Sequence, residues 1–504
     1  MEQTFPFRWF LIAFAAYTAI LFLISWFTTR RAGTNSFFAG DRKAPWPVIA
    51  YGMVGASISG VTFISVPGNV WVQNFFYMPL VLGFVGGYVV IAKVLLPLYY
   101  RMNLTSIYTY LGERFGRRSH MTGTVVFMIS RILGAAVRIF VVVVVFNSFV
   151  PKGAALSDTT VFTLVTVTFL VLLYLYTYKG GVKTIIWTDV LQTTFMLLAV
   201  GLTIWHICRE MGWTGGQMLA AVASAPNALT PGHCYSDWFN WDWNAGTNAL
   251  KQFFSGIFIT VAMTGLDQAM MQKNLACKDL KAAQKNMYTT SLIIVAVNLF
   301  FLFMGALLCI FVADKGGFEA LGITKTDEMF PAVASRYLGF GACLFFLIGL
   351  ISASYPSAGA AMTSLTTSVC VDFLGFKERT DIAESGKERI RKWIHACVAF
   401  VFLLIIVALY LVSSDAVINL VYKLASYTYG PLLGIFFFGI LTKCKARDAA
   451  TPWIALASPL ICLAANLLGK RYLGFELGFT LLIVNGLLTF LGMWLFRIRK
   501  SETK

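Results

Sequence analysis

The sequence predicts an all-α polytopic membrane protein, and three observations carry that prediction. Only 12% of the 504 residues are charged and 58% are hydrophobic, with a mean hydropathy of +0.73; soluble domains carry about 25% charged residues. Apolar runs of about 20 residues recur from end to end, each long enough to cross a hydrocarbon core of about 30 Å. Runs such as 11–27 and 400–412 are almost continuously apolar, without the alternation of a barrel strand. Backbone groups in lipid must be satisfied internally, so the spans are helices.

About thirteen spans follow from hydropathy. They cover 8–29, 47–73, 78–100, 121–149, 159–178, 184–208, 248–272, 287–313, 341–374, 393–413, 416–441, 451–469 and 476–496. An odd number puts the termini on opposite sides. With the N-terminus outside, about 27 Lys and Arg fall in inner loops and about 7 in outer ones, which is the asymmetry of a cytoplasmic C-terminus. Arg30, Arg31, Arg114, Arg117, Arg118, Lys273, Lys278, Arg389 and Arg391 are among the inner set. The formal charge of +17 is therefore a topology signal rather than a nucleic-acid footprint. The expected location is the cell membrane, multi-pass, of the bacterial inner-membrane kind. The first run lacks a basic n-region and a small-residue cleavage site, so it reads as a retained span.

Between the spans, the longest polar stretch is an outer loop over 209–247 holding Trp213, Trp238, Trp241 and Trp243, a composition typical of the membrane interface. Residues 377–392 (KERTDIAESGKERIRK) read as a short inner surface helix. No soluble domain of any size is visible, and no output domain follows the last span, which counts against a sensor. Nine cysteines show no C-x-x-C spacing; Cys208 and Cys234 share the outer side, but spacing alone does not pair them.

Two spans differ from lipid-facing helices. The second, IAYGMVGASISGVTFISVPG, has Gly52, Gly55, Gly60 and Pro67 among hydroxyl residues. Each glycine weakens a helix by roughly 1 kcal/mol relative to alanine, which invites unwinding; the alternative is close packing through small residues. The seventh adds Gly256, Gly265 and the intramembrane Asp267. The ninth, LISASYPSAGAAMTSLTTSVCVD, is interrupted by Pro356. Interrupted spans at matching positions of two halves point to a transporter site. Spans two and seven are five apart, as two inverted five-helix repeats over 47–208 and 248–441 require. The whole chain then reads as one transmembrane transporter domain, with 8–29 as an extra N-terminal helix and two C-terminal helices over 451–496.

These residues resemble the sodium:solute symporter family. GASISGVTFIS resembles its first core helix, GGVKTIIWTDVLQ (180–192) its fifth, and LDQAMMQKNLACKDLKAAQKN (266–286) its sixth. SRILGAAVRIF (130–140) and YTYGPLLGIFFFGILTK (427–443) also fit, so the likeness covers roughly residues 40–475. It implies the inverted-repeat fold of the leucine transporter and Na+ as the coupling ion. Carried over, the sodium ligands are the carbonyls of Gly55, Ile58 and Ala353 and the hydroxyl of Ser357. Pro356 stands where the family places a second hydroxyl. Proline has no hydroxyl, but it frees the Ser352 carbonyl by removing that carbonyl's helical donor. Either that carbonyl or the Ser354 hydroxyl can substitute. Hard cations take oxygen ligands, and an unwound helix offers them.

Intramembrane carboxylates are functional by default. The resemblance implies that Asp189 lies on the ion path, near the sodium exit, or else helps hold a second sodium as in some members of the family; the structural alternative is a scaffold pair with Arg131 or Arg138. Asp267, beside Gln268, is expected to face the substrate; the alternative is a residue that bonds backbone N–H groups freed at the helix break. Thr62 and Tyr427 complete the expected substrate set. Thr62, Val81 and Phe84 replace the polar residues of galactose carriers, so the solute implied is another sugar, a polyol or a sugar acid such as sialic acid. Lys93 and Lys423 are expected to snorkel or face loops. No phosphate-binding loop, nucleophile elbow or metal-protease motif is present, which argues against ATP drive or an enzyme. The expected function is sodium-coupled uptake of a small polar solute by alternating access. The rivals are a proton-coupled carrier using Asp189 or Asp267, and a membrane receptor on the same fold. The expected partners are the solute and the lipid bilayer, with no nucleic acid and no obligate protein partner.

Overall fold

The computed structural model describes residues 7–29, 37–38, 40, 44–58, 60–150, 157–179, 181–376, 378–379, 381–412, 417–473 and 480–498. The side chains of Pro356 and Lys423 lie outside the described residues. Regular structure within that set is helical, with only isolated bridges such as Ala44 to Cys277. Each predicted apolar run falls on a helix or on a broken pair. They are α1 (Phe7–Thr29), α2 (Trp46–Ser57), α3 (Gly60–Gln73), α4 (Met78–Val90), α5 (Arg117–Phe149), α6 (Asp158–Thr177) and α7 (Val182–Glu210). Then come α8 (Ala249–Thr260), α9 (Gln268–Leu275), α10 (Leu280–Asp314), α11 (Gly339–Ser368), α12 (Glu384–Val412), α13 (Val417–Leu441), α14 (Thr451–Leu473) and α15 (Leu481–Leu495). Among the described residues, nine helices are long and apolar enough to cross a membrane alone, and two bent pairs make eleven; two further apolar helices, Ser426–Leu441 and Leu481–Leu495, are shorter.

Both spans flagged by their glycines are broken. α2 stops at Ser57, Ile58 turns extended (φ −92°, ψ 98°), and the following helix leaves at 57°. α8 loosens into a π-helical turn over Val261–Gly265, and α9 leaves at 69° after Asp267 turns extended (φ −99°, ψ 120°). A break leaves backbone carbonyls without helical donors. Here tyrosines supply them: the Tyr99 hydroxyl donates to the Gly265 carbonyl at 3.0 Å and the Tyr108 hydroxyl to the Leu266 carbonyl at 2.9 Å.

Packing puts α7 and α11 at the centre, side by side, with α2 against both and α4 against α8. At the α4–α8 crossing a Cβ on Gly83 would meet the Phe253 carbonyl oxygen at 2.1 Å, and one on Gly256 the Leu80 oxygen at 2.1 Å. Only glycine allows backbones so close, the small-residue contact that drives helix association in lipid. By contrast, α12 and α14 expose Phe400, Leu404, Leu411, Trp453, Leu456 and Leu460, surfaces suited to lipid rather than water.

Local details depart from expectation at two places. Residues 384–392 are not a separate surface helix but the start of α12. Lys273, assigned to an inner loop, is fully buried on α9; its span simply runs further than the apolar residues do. Cys208 and Cys234 are both free thiols. Lys93 is exposed, and of the four loop tryptophans, Trp241 and Trp243 are exposed while Trp213 and Trp238 pack on the core.

Candidate functional site

The first break carries the expected ion ligands. Gly55 sits against α7: its N–H donates to the Thr193 hydroxyl at 3.1 Å, and a Cβ there would meet that oxygen at 2.3 Å. Thr193 in turn donates to the Asp189 carbonyl at 2.8 Å. The end of α2 and the carboxylate turn of α7 are thus one contact. Across the break, α11 presents Ala353, Ser354 and Ser357, all buried. Ser354 donates to the Leu350 carbonyl at 2.6 Å, which uses its proton and leaves its lone pairs. The set is neutral and oxygen-rich, the chemistry a hard cation takes.

Asp189 does not pair with Arg131 or Arg138. Its Oδ2 accepts from Lys273 Nζ at 2.5 Å, with both side chains almost wholly buried. The pair joins α7 to α9, close beside the first break, because Gly52 of α2 lies against Asp189 Cβ. An isolated charge there would carry a large desolvation penalty, and each member cancels the other's.

Asp267 caps the second break. Its Oδ1 accepts from the Met270 N–H at 3.1 Å, the position of an N-cap. Its Oδ2 accepts from the Tyr429 hydroxyl at 2.8 Å and faces Arg131 at 3.4 Å. The side chain is fully buried. Both sequence alternatives therefore meet in one residue, which holds the break and sits at the centre of a charged cluster. Arg138, two turns along α5 from Arg131, also acts electrostatically on Tyr429.

The other expected substrate residues are dispersed. Gln268 is fully buried, accepting from the Ile107 N–H at 3.0 Å and donating to the Thr105 carbonyl at 2.7 Å; it fastens the 102–116 segment rather than lining a cavity. Tyr427 hydrogen-bonds Asn466 on α14. Its neighbour Tyr429 is the one that reaches Asp267. Thr62 is half-buried at the start of α3. Sequence reasoning missed Lys273, Tyr429 and Tyr108, and also a cluster in which Ser106 and His120 both bond the buried Asp372 at 2.9 Å. Asp372 lies on a π-helical turn (Val369–Phe373), and such turns often mark functional positions.

Comparison with known proteins converges on one family. The chain is 22% identical over 460 residues to the sodium/sialic acid symporter NanT of Aliivibrio fischeri, covering 89% of this chain and 86% of that protein. It is 22% identical over 418 residues to sodium-coupled monocarboxylate transporter 1 of Xenopus laevis, covering 81% of this chain and 63% of that one. Its fold matches a solved sodium-coupled sialic acid symporter in a substrate-bound, outward-open state, with a TM-score of 0.79, 17% identity and 97% of both chains covered. The model of the sodium:solute symporter family matches residues 37–451, a range that takes in both helix breaks and every residue of the clusters around them, and the chain belongs to that family.

Proposed function

We propose that the protein couples inward sodium movement to uptake of a small organic anion, a sugar acid of the sialic acid type or a related carboxylate, by alternating access between two inverted repeats over 47–208 and 248–441. The observation that carries the anion is the cluster at the second break. Arg131 faces Asp267 through one terminal nitrogen at 3.4 Å while its buried Nε makes no hydrogen bond, and a guanidinium edge of that kind recognises a planar carboxylate well. A sialic acid carrier and a monocarboxylate carrier among its relatives fit the same chemistry. Sodium would sit at the first break, on the carbonyls of Gly55, Ile58 and Ala353 with Ser357 and Ser354. Solute would approach Thr62 and the Asp267 cluster, Gln268 and Tyr427 acting on it only through the helices they fix.

A proton-coupled carrier is the second reading. Asp189 and Asp267, the acids it would use, are each engaged by a cation, Lys273 and Arg131 respectively. The experiment is a thermal-shift and uptake screen of purified protein with N-acetylneuraminate, glucuronate, lactate and glucose, in sodium and in choline. The expected result is stabilisation by an acid in sodium alone. A response to glucose but to no acid would overturn the anion assignment, and uptake indifferent to choline would overturn sodium coupling.

A further inference from the structure

The last helix of the chain reaches the cluster at the second break through a proline. Pro431 lies inside α13, which continues as a helix beyond it to Leu441. Proline has no N–H, and its ring pushes against the carbonyl four residues back, so the Tyr427 carbonyl is left without a helical donor. In lipid a carbonyl freed in this way is satisfied by a neighbouring helix. Asn485 of α15, wholly buried, does so here. Its Nδ2 donates to the Tyr427 carbonyl at 2.8 Å and to the Ser426 carbonyl at 3.2 Å.

The amide is committed to that contact. Asn485 Oδ1 is buried and makes no hydrogen bond, a cost that a leucine of the same shape would avoid, so the donor end alone accounts for the residue. The side chain lies directly on the turn, because a Cβ on Gly430 would meet Asn485 Nδ2 at 2.3 Å. One turn on, a Cβ on Gly434 would meet the Thr489 Cβ at 2.4 Å, and Thr489 bonds Ser458 of α14 at 2.7 Å. Tyr427 also bonds α14, through Asn466. Both C-terminal helices therefore grip the turn over 427–431. On that turn sits Tyr429, whose hydroxyl donates to Asp267 Oδ2 at 2.8 Å, the oxygen that also faces Arg131.

We propose that Asn485 is a positioning residue for the solute: by taking the carbonyl that Pro431 frees, it sets the turn carrying Tyr429 and, through Tyr429, the geometry of Asp267 and Arg131. It rests on the reading that a carboxylate solute meets that cluster. The path is short, since Tyr429 lies between the held carbonyl of Tyr427 and the proline. α15 stands outside the two proposed repeats, and this contact gives it a part in solute affinity beyond packing.

The test is titration of uptake with N-acetylneuraminate and with lactate, beside the sodium-induced rise in melting temperature without solute, for wild type, Asn485→Leu, Tyr429→Phe and the double variant. Tyr429→Phe should raise the half-saturating solute concentration by about tenfold or more, the worth of a hydrogen bond to a charged group. Asn485→Leu should raise it several-fold in wild type but by less than about twofold in Tyr429→Phe, because both act through one hydroxyl. Pro431→Ala returns an N–H to the Tyr427 carbonyl, so in that background too Asn485→Leu should cost less than about twofold. The sodium giving half of the melting rise should stay within about twofold of wild type in Asn485→Leu, whereas a general loosening of the bundle would weaken sodium and solute alike. Asn485→Ala takes the place of the Leu variant if that one does not fold. Unchanged solute titration in the Asn485 variant, full additivity with Tyr429→Phe, no rescue by Pro431→Ala, or equal weakening of sodium and solute would each overturn the positioning role alone. Uptake of neither acid by wild type, or wild-type solute titration in Tyr429→Phe, would instead overturn the reading of the cluster on which it stands.

Discussion

At the level of single residues, the two intramembrane acids turn out to be tied to partners that decide how each can be tested. Asp189 and Lys273 are buried together, and removing one partner of a buried pair costs about 3–5 kcal/mol because the other charge is stranded. Asp189→Asn or Lys273→Met alone should lower the melting temperature sharply, while the double variant should recover most of the loss. Lys273→Met should in addition be rescued by sodium, which can take the vacated oxygen. Single variants that melt like wild type would show that the pair contributes nothing. Asp267→Asn asks a different question. Asparagine keeps the N-cap on Met270 but leaves Arg131 buried without its counter-charge. The variant should melt lower than wild type, and a carboxylate solute should restore more of its stability than it adds to wild type. Equal gains in both proteins would mean that solute does not meet this cluster. The acids were legible in the sequence because charge in a span is rare; their partners were not. Lys273 lies one residue past the apolar run, where a lysine reads as a loop residue. Tyr427 and Tyr429 sit in the unbroken polar stretch SYTY, and α13 is covered on both sides, by α5 and by α15, so no polar face marked which tyrosine turns inward.

At the level of elements, hydropathy located the helices and glycine located the breaks, because both signals are local. What holds a broken end in place is not local, and α5 shows why. It follows Gly116, whose φ of +134° suits glycine alone, and it has no capping side chain of its own. Its cap comes from 330 residues away. Asp448 Oδ1 accepts from the Ser119 N–H and hydroxyl at 2.7 Å each, and Oδ2 from the Arg118 N–H at 3.0 Å. A carboxylate at a helix N-terminus satisfies orphan donors and complements the dipole, yet nothing in the sequence near Arg117 announces it. Asp448→Ala should cost about 1–2 kcal/mol by losing this cap, and Asp448→Asn should cost less. A melting temperature unchanged in Asp448→Ala would show that water caps α5 equally well. The bond also ties the start of α14 to α5, so the variant should loosen both helix ends in hydrogen exchange.

At the level of the whole molecule, the proposed alternating access would require one end of the bundle to open while the other stays shut, and the contacts of the 102–116 segment make it the candidate gate. That segment, on the side the Lys and Arg asymmetry assigns to the cytoplasm, is fastened to the second break at several points. Gln268 holds Thr105 and Ile107, Tyr108 holds Leu266, and the Tyr100 hydroxyl reaches the Asn274 and Cys277 carbonyls at 3.0 and 3.2 Å. Cys277 is completely buried beneath these contacts, so its thiol reports whether they part. Sodium favours whichever state binds it better and shifts the population by that difference alone. In a variant keeping Cys277 as its sole cysteine of nine, a membrane-permeant thiol reagent should label it slowly, and more slowly in sodium than in choline. Gln268→Leu removes both bonds to the segment at nearly constant volume. Each such hydrogen bond contributes about 1 kcal/mol, so losing two shifts an opening equilibrium by about tenfold or more, and labelling should quicken by that factor. Sodium should still slow labelling in Gln268→Leu, because the proposed ligands at the first break are on α2 and α11, away from the substitution. A labelling rate indifferent to sodium in the wild-type background would mean that sodium does not select between the closed and open forms of this end. A rate unchanged by Gln268→Leu would mean that the segment is not the gate.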